Sequence, residues 1–216
     1  MIKAVIFDLD GVLVTTDELH YLAWKSLADD LGITTFTKED NVRQRGVSRM
    51  ASLEIVLEKT PTKYTDEQKL ELAEKKNTIY VKSLEGLSAE DLLPGVKDFI
   101  AFLKVKSIKT AIGSASKNTP MILEKTGIKY DFDAISCGLD TTKSKPDPEV
   151  FLIAAQKLGL KPTECVVIED SDAGIQAAKN GGMYAVAVGA AMNNPLADYK
   201  AESIDSWDYR NCDLFM

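Results

Sequence analysis

The chain has one histidine, His20, among 216 residues. A Ser-His-Asp hydrolase, a multi-histidine metal centre and a Cys-His nucleophile would each need His20 to do the whole job, which disfavours all three. Its three cysteines, Cys137, Cys165 and Cys212, are odd in number and far apart. They make neither a disulfide framework nor a zinc pattern, and they suit a reducing compartment. There is no excess of basic residues: the net charge is -7, which argues against a nucleic-acid or membrane-surface partner. No apolar run approaches the roughly 20 residues of a membrane span. The first residues lack the layout of a signal peptide, because Asp8 and Asp10 interrupt the apolar segment. A cytoplasmic protein acting as a monomer is the expectation. Acid–base chemistry, if any, must rest mainly on carboxylates, and hard oxygen ligands of that kind suit Mg2+.

The stretch Lys3-Ala4-Val5-Ile6-Phe7-Asp8-Leu9-Asp10-Gly11 carries most of the information. Ile2 to Phe7 reads as a strand buried on both faces, as in a parallel sheet. Ligands of open α/β sheets bind beyond the carboxyl ends of such strands. Two carboxylates stand at that end, and burying them unpaired would be costly. A spacing of two along extended backbone can aim both to one side. One can then act as nucleophile and the other as acid/base.

Further along, the apolar period changes. Helical spacing is predicted over Asp17 to Leu31, from a Ser48 cap through Leu57, and from Thr65 to Leu84. No convincing strand interrupts this stretch. After a helix over Val96 to Lys104, strands alternate with helices. The strands are Ile108–Ile112, Ala134–Ser136, Cys165–Ile168 and Tyr184–Val188. This rhythm implies a doubly wound, Rossmann-like parallel sheet with an inserted helical cap. The expected division is a core of residues 1–15 and 87–216 and a cap of residues 16–86. The tail after Asn193 is weakly patterned.

Four strand ends share one chemistry. The first offers Asp8 and Asp10. The second offers Ser114, followed by Ala115, Ser116, Lys117 and Asn118. Lys145 lies in a loop just before a helix, and Glu169-Asp170 ends another strand. A hydroxyl and backbone N–H groups at Ser114 can bind phosphate oxygens, Lys145 is a compact cation for the same oxygens, and the acids can hold magnesium. Taken singly each has a bland reading as a turn, a solvated lysine or a helix-end acid pair. In this order, at one sheet edge, they read as a metal-assisted phosphoryl site.

The ordered set resembles the haloacid dehalogenase superfamily. It rests on Asp8-Leu9-Asp10-Gly11-Val12-Leu13, Gly113-Ser114, Lys145-Pro146 and Glu169-Asp170-Ser171-Asp172-Ala173-Gly174. The resemblance implies an aspartyl-phosphate on Asp8, Asp10 as general acid/base with its carbonyl on the metal, and Mg2+ held by Asp8, Asp10, Glu169 and Asp170. The cap segment, with Thr16, His20, Trp24, Arg45-Gly46-Val47-Ser48-Arg49, Ser52 and Lys76, resembles the β-phosphoglucomutase family within it, as does Ser114-Ala115-Ser116-Lys117-Asn118. That implies a sugar-phosphate substrate. Arg49, Ser116 and Asn118 would hold the phosphate remote from the metal, and Ser114 and Lys145 the transferring one. Gly46, Ser52 and Lys76 would line the sugar pocket, while Thr16 and His20 position Asp10. Position 45 is often Lys in that family and is Arg here. A mutase moving phosphate between two sugar hydroxyls is the expected activity. A magnesium-dependent sugar-phosphate phosphatase is the alternative, since both share the chemistry up to the aspartyl-phosphate.

Overall fold

A computed structural model describes residues 1–216. Six parallel strands form one sheet: β1 (Ala4–Phe7), β2 (Lys109–Gly113), β3 (Ala134–Ser136), β4 (Cys165–Glu169), β5 (Tyr184–Ala187) and β6 (Tyr199–Lys200), in the order β3-β2-β1-β4-β5-β6. The strand order reverses beside β1, which is where open α/β sheets bind ligands. Phe7 pairs with Ile112 on one side and Ile168 on the other, so Asp8, Ser114 and the Glu169-Asp170 pair stand at three adjacent strand ends.

Helices α5 (Val96–Val105), α6 (Thr119–Lys125), α7 (Glu149–Leu158) and α8 (Asp172–Asn180) accompany the sheet. One apolar layer contains Val5, Phe7, Phe99 and Leu103; the other contains Ile6, Phe151, Val167 and Ile175. Both faces of the central strands are therefore covered, which is why their sequences are continuous apolar runs.

Between β1 and α5 the chain is helical: α1 (Asp17–Asp30), α2 (Lys38–Val42), α3 (Arg49–Leu57) and α4 (Asp66–Ser83). These helices carry a separate apolar cluster with Trp24, Leu27, Phe36, Leu53 and Val56 at its centre. The Ser48 hydroxyl accepts from Ala51 N–H and the Thr65 hydroxyl from Gln68 N–H, so both expected caps form. The short helix α2 is not among the sequence expectations. At five residues it is too brief for an apolar period, and a Thr37–Asp40 capping box holds it.

The tail also has a definite place. β6 extends the sheet, and Trp207, Tyr209 and Phe215 pack on Phe99 with ring centroids 4.5–6.0 Å apart. Such aromatic pairs add about 0.5–1.5 kcal/mol each beyond their buried area. No helix is long and apolar enough to cross a membrane.

Candidate active site

A cavity of about 440 Å3 lies between the carboxyl ends of the strands and helices α1, α3 and α4. Asp8 and Asp170 form part of its floor, with Lys145 and Glu169 buried just beneath. Lys145 Nζ donates to Asp8 Oδ1 at 2.8 Å and to Glu169 Oε1, and sits 4.8 Å above the Phe151 ring. The cation expected to meet ligand oxygens is thus already shared by two carboxylates. Glu169 Oε2 accepts from the backbone N–H and hydroxyl of Ser171, so both its oxygens are engaged.

The charge count at this end is unbalanced. Asp8, Glu169 and Asp170 are buried with ligand oxygens within 4.8 Å of one another, and Lys145 is the one cation hydrogen-bonded among them. Burial pushes the Asp8 carboxyl upward, with Glu169 adding and Lys145 opposing. Burial likewise raises Asp170, with Glu169 and Asp8 reinforcing it and Arg45 opposing. Three close carboxylates with oxygen-only donors fit a hard divalent cation, which would relieve the repulsion. Gly11 makes room: with φ +74°, a Cβ there would stand 2.1 Å from Asp170 Oδ2.

Asp10 lies at the mouth of the floor, one quarter exposed. Thr16 donates to its Oδ1 through both N–H (3.0 Å) and hydroxyl, and the Thr16 hydroxyl also pairs with the Tyr80 hydroxyl at 2.8 Å. Burial raises Asp10 to about 6, against the opposing Thr16 hydrogen bonds. A carboxylate held this way can exchange a proton near neutral pH.

The opposite wall is cationic. Lys76 Nζ lies 2.8 Å from His20 Nδ1 and 4.6 Å from the ring centres of both Trp24 and Tyr80. Burial, with Arg49 adding, lowers Lys76 to about 7. Burial, then Lys76 and Arg49, drive His20 well below its usual value, so the imidazole is neutral. The buried Ser52 hydroxyl lines the same wall. Arg49 Nη2 donates to Asn77 Oδ1 at 2.9 Å, and Asn118 Nδ2 donates to the same oxygen at 3.0 Å. Ser116 Oγ accepts from Asn118 N–H, and Ser114 Oγ from Ser116 N–H, each at 3.2 Å. The Ser114–Asn118 turn, with Ala115 and Lys117, thus faces the helical wall across the cavity.

The loop carrying Arg45, Gly46, Val47 and Ser48 also lines the cavity. Gly46 has φ +72°, and a Cβ there would lie 2.4 Å from Ser171 Oγ, a close approach of this loop to the start of α8 that only glycine allows. Arg45 Nη2 bonds Asp17 Oδ2 at 2.5 Å.

The expected residues therefore meet around one cavity, with Thr16, Lys145 and Glu169 behind its surface. Sequence reasoning missed Asp17, Glu74 and Asn77, which also line it. Asn77 follows Lys76 directly, and Glu74 lies one turn before it on α4. The helical period was the available signal, but polar residues on a charged helix read as a solvated face.

Known proteins share this architecture. Residues 2–182 match the haloacid dehalogenase-like hydrolase family. The chain belongs to that family. It is similar to a β-phosphoglucomutase of Bacillus subtilis, 46% identical over 87% of this chain and 83% of the relative. It is also similar to a phosphorylated carbohydrates phosphatase of Thermotoga maritima, 32% identical over 84% and 82%. Among solved structures, a β-phosphoglucomutase from Clostridium difficile superposes with a TM-score of 0.92 at 38% identity, covering 97% of this chain and 95% of that one. The chain is thus an enzyme of this family, with mutase and phosphatase relatives.

Proposed function

We propose that the enzyme is a β-phosphoglucomutase, interconverting β-D-glucose 1-phosphate and glucose 6-phosphate through an aspartyl-phosphate on Asp8 and β-glucose 1,6-bisphosphate. One observation carries this reading: a single cavity joins an acidic end at Asp8 to a cationic end at Arg49 and Lys76. A monophosphate phosphatase needs only the first. Moving phosphate between two hydroxyls requires binding a bisphosphate in both orientations, and so a cation at each end. The relatives named β-phosphoglucomutase support the same choice.

In this mechanism residues 16–86 act as a cap over a core of residues 1–15 and 87–216. Mg2+, held by Asp8, the Asp10 carbonyl, Asp170 and Glu169, would neutralise phosphoryl charge. For Glu169 this requires Oε1 to exchange Lys145 for the ion. Starting from phosphorylated Asp8, Asp10 takes the proton of the sugar C6 hydroxyl. The hydroxyl oxygen attacks phosphorus, and the bond to the Asp8 oxygen breaks. The bisphosphate turns end for end. Asp8 then attacks the 1-phosphate, the bond to O1 breaks, and Asp10 returns its proton to O1, leaving glucose 6-phosphate.

Ser114 and Lys145 hold the transferring phosphate. Arg49, Ser116, Lys117 and Asn118 hold the far one. Gly46, Val47, Ser48, Ser52, Trp24 and Lys76 surround the sugar, with Arg45 at the loop entrance. Thr16 and His20 hold Asp10 and tie it to the cap. Closure of the cap keeps water off the acyl phosphate. The three free cysteines suit a reducing compartment, and we read the enzyme as a cytoplasmic monomer.

The test is a product assay with β-glucose 1-phosphate, magnesium and a trace of glucose 1,6-bisphosphate. Glucose 6-phosphate is the expected product. Free phosphate in its place would make the enzyme a sugar-phosphate phosphatase.

A further inference from the structure

The reaction as proposed makes no use of Glu74, which nevertheless touches its far cation. Glu74 and Asn77 lie three apart on α4 and face the same side. Arg49 Nη1 donates to the Glu74 carboxylate at 3.2 and 3.4 Å, while Nη2 donates to Asn77. Both terminal nitrogens of Arg49 are therefore engaged by α4, and the carboxylate occupies the kind of position that ligand anion oxygens would take. The two partners differ in freedom. The Arg49 side chain is 20% exposed and Glu74 is 68% exposed, so Glu74 can swing into solvent where Arg49 cannot. Both line the cavity, as do Asn77 and Asn118.

We propose that Glu74 is a specificity-determining residue, a displaceable counter-anion that occupies Arg49 until the far phosphate of the ligand takes its place. The inference rests on Arg49 being the cation for that phosphate. A carboxylate has one charge and two acceptor oxygens. A phosphate monoester near neutral pH brings about 1.5 to 2 charges and three acceptor oxygens. A dianionic end displaces Glu74, whereas a hydroxyl or a singly charged end gains little by doing so. The competition also loosens the grip on the far phosphate, which suits a bisphosphate that must release that end and return reversed. If Glu74 instead only steadied the guanidinium, removing its charge would weaken binding, so the two roles predict opposite signs.

The experiment is calorimetric titration of glucose 6-phosphate into the magnesium-loaded enzyme, unsubstituted and with Glu74→Gln. Glutamine keeps the size and can still accept from Arg49, but lacks the charge. Exposed ion pairs of this kind shift equilibria by about two- to fivefold. The expected result is a Kd lower by about that factor in the variant, with the difference shrinking in high salt as the competing charge is screened. An unchanged Kd overturns the proposal, and so does a higher one. If glucose 6-phosphate binds neither protein, the proposal falls together with the role of Arg49. If the unsubstituted enzyme forms glucose 6-phosphate and both proteins bind it equally, only the role of Glu74 falls.

Discussion

The two ends of the cavity are built on opposite electrostatic principles. At the core end, Asp8, Glu169 and Asp170 are buried around Lys145, and negative charge is in excess. At the cap end, Arg49 and Lys76 stand near His20, and the one carboxylate bonded to Arg49 is the mostly exposed Glu74. The first arrangement calls for a further cation; in the second, an exposed carboxylate already stands on Arg49. Their rigidity differs as well. The core residues hang from strand ends within a two-sided apolar sheet. Arg49 is held by exposed or shared partners on α4 and reaches the core only through Asn77 and Asn118. Chemistry belongs at the rigid end, where reacting atoms must be held closely. Recognition belongs at the end that can let go.

The largest expected effect breaks the core end alone. Asp8→Asn nearly preserves shape but removes the carboxylate proposed as nucleophile. Turnover should drop to background, while circular dichroism and melting show a folded protein. Substantial residual mutase activity in the purified variant would put the nucleophile elsewhere.

Next comes Asp10→Asn. A positioned acid/base contributes about 10²–10⁴-fold, so kcat should fall by that order while binding of glucose 6-phosphate changes little. Equal loss of binding and turnover would make Asp10 structural, a support for Thr16 and Tyr80.

Proton linkage probes the core end more gently. Asp10 is raised to about 6, and as the proposed base it must be ionised to accept the hydroxyl proton. The base form is lost as pH falls, so kcat/KM should drop about tenfold per unit below that value. Magnesium affinity should weaken in the same direction, because the upward-shifted Asp8 and Asp170 bind protons in competition with the metal. A titration giving one magnesium affinity at about pH 6 and about pH 8 would contradict ligation by those acids.

The core end was also the more legible in sequence. A buried strand followed by Asp8 and Asp10 announces its chemistry, because apolar runs and charges at their ends are local signals. The order of the strand ends placed Ser114 and Glu169-Asp170 beside them. The cap end was harder to read. Arg49 and Lys76 emerged from a family resemblance, since a lone cation on a helix has no local signature. Asn77 and Glu74 were not seen at all: their meaning depends on α4 facing Arg49 and Asn118, which is a tertiary fact. The tail was opaque for a related reason. Trp207, Tyr209 and Phe215 show no period, yet they pack as a group against Phe99.

In the proposed mechanism one cavity serves two phosphates, with Arg49 holding the one away from Asp8. This is tested most directly by measuring two activities in Arg49→Ala. One is formation of glucose 6-phosphate from β-glucose 1-phosphate, which needs both ends. The other is slow hydrolysis of acetyl phosphate, which needs only the core end. Charge-assisted hydrogen bonds to a phosphate are worth about 1.5–3 kcal/mol, so phosphate migration should fall by about tenfold or more while acetyl phosphate hydrolysis survives. Equal loss of both activities would make Arg49 a support of the cap fold, and unchanged migration would mean that the second phosphate is held elsewhere.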